Sequence, residues 1–277
     1  METMDRIREL HPTYEPAEVY RAAFVGSGFV AVTNQIAGSG KDAIKDAVAA
    51  LCGGISCPSY TDRAWRPSDG PKLGNTSYVY LTSEEMLAEI EAGTIIEYEP
   101  LRDYSYATSG REVKSIVEQG KRPFKDLEPN GLITLRRIMG DCGVIRAIYP
   151  LPDLTVLADG RTQWEHLLTN RDYEGDRLGD ILKGSRGEES ANDLAKRLTA
   201  AAGQRALIGE LGLVEDDNTF FVVNTYGRLA ETARVAANFV NHGKITTNPY
   251  GSPTGTAIRA NLNEVEEIAC SALAEAS

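Results

Sequence analysis

Apolar positions along the chain fall into short blocks that alternate between two periods. Phe29–Thr33 (F-V-A-V-T) is rich in β-branched and aromatic residues and predicts a buried strand. Gly38–Lys41 follows at once. From Asp42 to Leu51 the apolar and small residues Ile44, Ala47, Val48 and Leu51 recur at three and four, which predicts a helix. The opening is therefore strand, glycine-rich loop, helix. Ile55–Tyr80 is broken by Pro58, Pro67, Gly70, Pro71 and Gly74 and reads as loop with short strand. Ser83–Ala92 reads as a helix opened by Ser83, with Met86 at the third position and Glu84 and Glu85 in the first turn. Thr94–Glu97 predicts a strand, Arg111–Gln119 a helix stopped by Gly120, and Leu132–Met139 a helix before Gly140. Val144–Tyr149 and Phe220–Val223 predict strands, and Leu229–Val240 a last core helix.

Strands alternating with helices predict an α/β fold with a mainly parallel sheet flanked by helices. Residues 1–22 read as a polar lead-in with a short helix after Pro16. Asp159–Gly179 is polar and carries no convincing strand. The tail, 243–277, starts as a Gly/Pro/Thr/Asn-rich linker and ends in an amphipathic helix. Its stripe of Ile258, Leu262, Val265, Ala269 and Leu273 must pack on this domain or on a second copy, so a homodimer is an open expectation. The expected divisions are an extension over 1–22, a core over 23–242 and a tail over 243–277.

Composition narrows the function classes. With 42% apolar and 25% charged residues in 277, the chain has globular composition. No apolar run reaches the ~18 residues of a membrane span. Met1–Tyr14 has no apolar core and does not read as a signal peptide. Its 40 acids against 29 bases leave a net charge of −11, which argues against bulk nucleic-acid or membrane-surface binding. Cys52, Cys57, Cys142 and Cys270 lack metal or CxxC spacing and read as reduced thiols of a cytoplasmic protein. His11, His166 and His242 are isolated and read as surface or packing residues.

Chemistry concentrates first in Ala37-Gly38-Ser39-Gly40-Lys41-Asp42, between a strand and a helix. Backbone N–H groups of such a loop cradle phosphates, the helix N-terminus adds positive potential, and Lys41 reaches the transferred phosphate. The stretch resembles a Walker A loop in which Gln35 replaces the first glycine and Asp42 the usual Ser/Thr. A plain tight turn is the other reading. Asp42 supplies a hard oxygen for Mg²⁺, directly or through water.

The second concentration is Ser59-Tyr60-Thr61-Asp62-Arg63-Ala64-Trp65-Arg66, then Gly74, Tyr78 and Tyr80. Two guanidiniums three residues apart suit a monophosphate. Here the sequence resembles the guanylate kinase family, with its Ser-x-Thr-Thr-Arg-x-x-Arg, Gly and Tyr-x-Phe. The resemblance continues in order through Gly93–Tyr98, Tyr106-Ala107-Thr108, Asp126–Gly131, Ala147–Pro152, Arg186-Gly187, Arg197-Leu198 and Val222-Val223-Asn224. It implies a P-loop kinase core, a small monophosphate-binding subdomain near 55–110, and a helical lid near 153–200 carrying an insertion. The implied activity is ATP-dependent phosphorylation of GMP or dGMP, with Mg²⁺.

The residues implied for ATP are Ala37, Gly38, Ser39, Gly40, Lys41, Asp42 and Asn224. Those implied for GMP are Ser59, Arg63, Arg66, Tyr78, Glu97, Tyr106, Thr108 and Glu128. Guanine offers N–H donors to the Glu97 and Glu128 carboxylates and its O6 acceptor to Ser59. Lys41, Arg63, Arg66 and the lid arginines Arg186 and Arg197 are the expected catalytic cations, and Arg177 is a further lid candidate. Asp42 and Asp126 are the expected metal carboxylates. Asp62, Ser77, Glu128 and Asn130 depart from the family pattern. Two other readings stay open: a ribose 1,5-bisphosphate kinase-like enzyme, which Asp42 favours, and a non-catalytic binding module, which Lys41, Gly38 and Gly40 oppose.

Overall fold

A computed structural model describes residues 3–24, 28–66, 77–101, 103–169, 188–225, 227–243 and 254–276. In chain order these include α1 (Thr3–Leu10), α2 (Glu18–Ala22), β1 (Gly28–Thr33), α3 (Lys41–Cys52), β2 (Ile55–Ser56), β3 (Ser59–Thr61), β4 (Tyr78–Tyr80), α4 (Ser83–Glu91), β5 (Ile95–Pro100), β6 (Ser105–Ser109), α5 (Gly110–Glu118), β7 (Pro123–Leu127), α6 (Pro129–Met139), β8 (Val144–Pro152), α7 (Gln163–Thr169), α8 (Glu188–Ala202), α9 (Gln204–Glu210), β9 (Thr219–Asn224), α10 (Leu229–His242) and α11 (Gly255–Ala276). The strands form a five-stranded sheet in the order β2-β7-β1-β8-β9 and a four-stranded sheet in the order β4-β3-β6-β5. In the larger sheet β2 pairs parallel with β7, and β8 parallel with β9. None of the described helices is long and apolar enough to cross a membrane.

The chain divides into two compact units, Met1–Ala31 with Ala49–Arg146, and Val32–Val48 with Ala147–Ser277. The first holds the four-stranded sheet. There β5 and β6 run antiparallel, with Glu97 opposite Thr108 and Glu99 opposite Tyr106. Strand β3 is antiparallel to β6 and parallel to β4, with Thr61 opposite Tyr106, Ser59 opposite Tyr78 and Thr61 opposite Tyr80. Because side chains alternate along a strand, these opposed residues line one face of the sheet. Ile95, Ile96 and Tyr98, with Leu132, Leu135 and Ile138 of α6, are buried in this unit's core.

Two readings are corrected here. The N-terminal segment is more than a polar lead-in: besides the expected helix after Pro16, it forms α1, whose Ile7 is fully buried. The Ile7 carbonyl accepts from Tyr98 OH at 3.1 Å, and Tyr14 OH donates to the Ile95 carbonyl. Helix α4 is capped by Thr82, not Ser83: Thr82 Oγ1 accepts from Glu85 N at 3.1 Å, and Glu85 Oε2 accepts from Thr82 N at 2.7 Å. Met86, three after Ser83, cannot close such a box, whereas Glu85 can.

In the second unit Tyr149 stacks on Phe221 (ring centroids 4.8 Å apart) and Phe220 on Phe239 (5.1 Å). The tail helix α11 packs on α8 and α9. Its Ile258, Leu262, Val265 and Ala269 are buried as the stripe predicts, with Ala272 buried and Leu273 half-buried. Its own chain's α8, which buries Leu194, Leu198 and Ala201, is packed against this helix. The polar stretch after Asp159 includes α7, and its remainder, 170–179, lies outside the described residues.

Candidate active site

Strand β1 ends in the glycine loop, and α3 begins at Lys41. The first amides of a helix have no intrahelical acceptor, so this loop presents donors toward whatever lies before α3. Its shape is held from four directions within the second unit. Asn34 Nδ2 donates to Ser39 Oγ at 2.7 Å and to the Pro150 carbonyl at 2.6 Å. Gln204 Oε1 accepts from Gln35 N at 3.2 Å, while Gln204 Nε2 donates to Gln35 Oε1 at 3.0 Å. Trp164 Nε1 donates to the Ala37 carbonyl at 2.9 Å, and Asn224 Nδ2 donates to the Ser39 carbonyl at 3.0 Å.

Gly40 has φ +78°, and a Cβ there would stand 2.1 Å from Asn224 Nδ2. Only glycine meets both conditions cheaply. Gln35, which replaces the loop's first glycine, has a structural partner in Gln204. Lys41 is half-buried at the start of α3. Asp42 is exposed and lies 3.9 Å from Lys45 Nζ.

The first unit carries the other predicted cluster. Continuing the β3–β6 register one step past Tyr60–Ala107 sets Ser59 beside Thr108, which is opposite Glu97. Ser59, Thr108 and Glu97 thus form a polar row across three adjacent strands. All three are buried. Thr108 Oγ1 donates to Glu97 Oε1 at 2.8 Å. Burial raises the Glu97 carboxyl to about 7, against the opposing pull of the Thr108 hydrogen bond and the Lys125 ammonium. Gly131, at the start of α6, leaves room for this carboxylate, since a Cβ there would stand 2.9 Å from Glu97 Oε2.

Two residues along each strand lies a second row of Thr61, Tyr106 and Glu99. Arg63 reaches it from the end of β3. Its Nε donates to Tyr106 OH at 2.7 Å, and its guanidinium carbon lies 4.7, 5.7 and 5.8 Å from the ring centroids of Tyr78, Tyr80 and Tyr106. Three aromatic rings around one guanidinium hold it in a defined place and orientation. Burial raises the Tyr106 phenol to about 12, with Arg63 opposing.

Asp62, which departs from the family pattern, has structural work. Its Oδ1 accepts from Ser105 N at 2.5 Å and its Oδ2 from Ser83 Oγ at 2.8 Å, tying the starts of β6 and α4 to the arginine segment.

Of the remaining expected residues, Arg66 is exposed, Glu128 is half-buried at the start of α6, and Arg197 is exposed on α8. Arg186 and Arg177 lie outside the described residues. Asp126 stands 3.9 Å from Lys125 Nζ. No group of three or more His, Cys, Asp or Glu fit to hold a metal occurs among the described residues.

Three residues went unread in the sequence. Lys125 is 2% exposed and donates to Ser59 Oγ; its signal was a lysine inside the otherwise buried run Pro123-Phe124 and Leu127. Glu99 is raised to about 7 by burial and by the Glu128 charge. Trp164 is 1% exposed, and it and Leu168 bring side-chain carbons within 3.5 Å of the Cβ position of Gly38.

Comparison with known proteins follows the same pattern. The guanylate kinase family model matches residues 31–153. Over 111 residues the chain is 30% identical to a guanylate kinase of Syntrophus aciditrophicus strain SB, an alignment covering 40% of this chain and 52% of the relative. A guanylate kinase of Salinibacter ruber strain DSM 13855 / M31 is 34% identical over 106 residues, covering 37% and 54%. A longer alignment, 198 residues at 27% identity, covers 69% of this chain and 81% of a guanylate kinase of Streptococcus pyogenes serotype M3 strain MGAS315. The chain thus spans about half the length of the first two relatives.

Proposed function

Residues 31–153 match the guanylate kinase family model, and on that premise we propose that the chain transfers the terminal phosphoryl group of ATP to GMP or dGMP. A phosphate oxygen of the monophosphate attacks the γ-phosphorus, the bond to the leaving ADP oxygen breaks, and a nucleoside diphosphate results. The observation that carries this reading is the pair of rows on the four-stranded sheet. Ser59, Thr108 and Glu97 form a buried line that reads a base edge, and two residues away the tyrosine-caged Arg63 holds a phosphate.

Glu97 in its ionised form, together with Glu128, accepts the N1–H and 2-amino donors of guanine. Ser59 takes the O6 side. Arg63, Arg66, Tyr78 and Tyr106 hold the monophosphate by charge-assisted hydrogen bonds. The loop Ala37–Gly40, with Lys41 and the start of α3, holds the ATP phosphates, and Asn224 braces the loop through Ser39. Phosphoryl transfer asks little covalent chemistry of the protein; it needs the two phosphates in line and their charge neutralised. Arg197, with Arg186, supplies the lid cations that complete this and exclude water.

Magnesium fits the exposed Asp42 oxygen next to Lys41, since this ion binds one or two carboxylates plus substrate phosphates and keeps several waters. It supplies charge neutralisation between the phosphates. We assign Asp126 to balancing Lys125. The reading carries a cytoplasmic setting with small nucleotides as partners.

Asp42 after Lys41 also favours a ribose 1,5-bisphosphate kinase-like reading, which the buried base-reading row opposes. The test is ADP release from ATP with GMP, dGMP, AMP, UMP or ribose 1,5-bisphosphate as acceptor. Release with GMP or dGMP is expected. Release with the bisphosphate alone would transfer the assignment to that reading. GMP binding with no ADP release would mark a non-catalytic module.

A further inference from the structure

Strand β7 buries a charge at Lys125, beside the half-buried Asp126. Phe124 is 0% exposed, Leu127 5% and Lys125 2%. A buried ammonium is tolerated only where oxygen atoms surround it. Lys125 Nζ donates to Ser59 Oγ and lies 3.9 Å from Asp126 Oδ1, and its charge acts on Glu97.

The consequence is a biased hydrogen-bond polarity. A lysine ammonium has donors and no acceptor, whereas a serine hydroxyl has one donor and two acceptor lone pairs. Lys125 occupies one of the two Ser59 lone pairs and sets its positive charge behind that oxygen, which favours a ligand acceptor over a ligand donor at the hydroxyl. At the far end of the row Thr108 donates to Glu97, which therefore keeps its acceptor character toward a ligand. The row runs from a hydroxyl donor at Ser59 to a carboxylate acceptor at Glu97. A 6-oxopurine presents the complementary order, an acceptor at O6 and a donor at N1–H. A 6-aminopurine presents the reverse, a partly positive amino group toward the ammonium-backed Ser59 and an acceptor at N1 against the Glu97 carboxylate.

We propose that Lys125 is the positioning residue whose buried charge biases Ser59 toward donating and so favours 6-oxopurine over 6-aminopurine nucleotides. The proposal rests on the reading that this sheet face holds a purine monophosphate. Lys125 acts through Ser59 and does not itself touch the base.

The test compares kcat/KM of the full chain for GMP, inosine monophosphate and AMP, in wild type, Lys125→Met, Ser59→Ala and the double variant. The inosine-to-adenosine ratio reads the 6-position and N1; the guanosine-to-inosine ratio reads the 2-amino group on the carboxylates. In both single variants the first ratio is expected to fall at least tenfold, while the second changes less than threefold. The double variant should fall no further than Ser59→Ala alone. A merely structural lysine would lower all three substrates together and leave both ratios standing, which overturns the proposal. If Lys125→Met fails to fold by its thermal melt, Lys125→Gln takes its place, and an unchanged first ratio there overturns the proposal equally. If the wild type binds these nucleotides and phosphorylates none, the proposed enzyme activity fails instead, and the same ratios taken from Kd by calorimetry decide the inference.

Discussion

Replacing Glu97 with Gln should weaken GMP binding and at the same time strengthen the ligand-free fold. The carboxyl is 3% exposed and raised from 4.5 to about 7 by burial. A group whose pKa is higher in the folded state holds a proton that the unfolded chain releases. Its contribution to stability is greatest below pH ~4.5 and is lost as pH rises through about 7. Above pH 7 the ionised Glu97 therefore costs the fold on the order of 3 kcal/mol, which Gln does not incur. Guanine makes the opposite demand: its N–H donors favour the ionised acceptor, and losing that charge should cost about 1–3 kcal/mol of binding, roughly 5- to 150-fold in Kd. Calorimetric GMP titration and urea melts at pH 6 and pH 8 read both. Wild type should bind GMP more tightly at pH 8 than at pH 6, beyond the change due to the nucleotide's own phosphate. The Gln variant should give that background alone, and at pH 8 it should melt at higher urea than wild type. A Gln variant that binds GMP at pH 8 as tightly as wild type would refute the reasoning.

Gly40→Ala should raise the KM for ATP at least tenfold and leave that for GMP within about threefold, because the new Cβ meets Asn224 at 2.1 Å in a left-handed backbone. Steady-state kinetics with each substrate varied separately check this. Arg63→Lys keeps the charge but loses the planar group that the three tyrosines surround and the bond to Tyr106; its KM for GMP should rise by about 10- to 100-fold, with that for ATP unchanged. Trp164→Phe keeps a ring against the loop but removes the donor to Ala37; it should cost about 0.5–1.5 kcal/mol in urea unfolding and raise the KM for ATP more than that for GMP.

What the sequence disclosed followed the range over which each signal acts. The strand, glycine turn and helix from Phe29 to Leu51 were legible because hydrophobic period and loop chemistry are local. Strand β6 (S-Y-A-T-S) has no apolar run, and its strand state comes from pairing with β3 and β5. Ser59, Glu97 and Thr108 could each be nominated from motifs, but their alignment in one row depends on antiparallel register, which is non-local. Lys125 went unread for the same reason: a lysine beside an aspartate looks solvated until the strands around it close. The cap of α4 moved from Ser83 to Thr82 because both residues carry a hydroxyl, and only the position of Glu85 separates them.

On the proposed reading, a phosphoryl group passes from ATP to a guanine monophosphate on this chain. Incubating this chain with ATP labelled at the γ-phosphorus and unlabelled GMP, with magnesium, tests it. The account predicts label in the β-phosphate of GDP, lost in Lys41→Met and Arg63→Ala. Label found only in inorganic phosphate, or left on ATP while GMP is demonstrably bound, would contradict it.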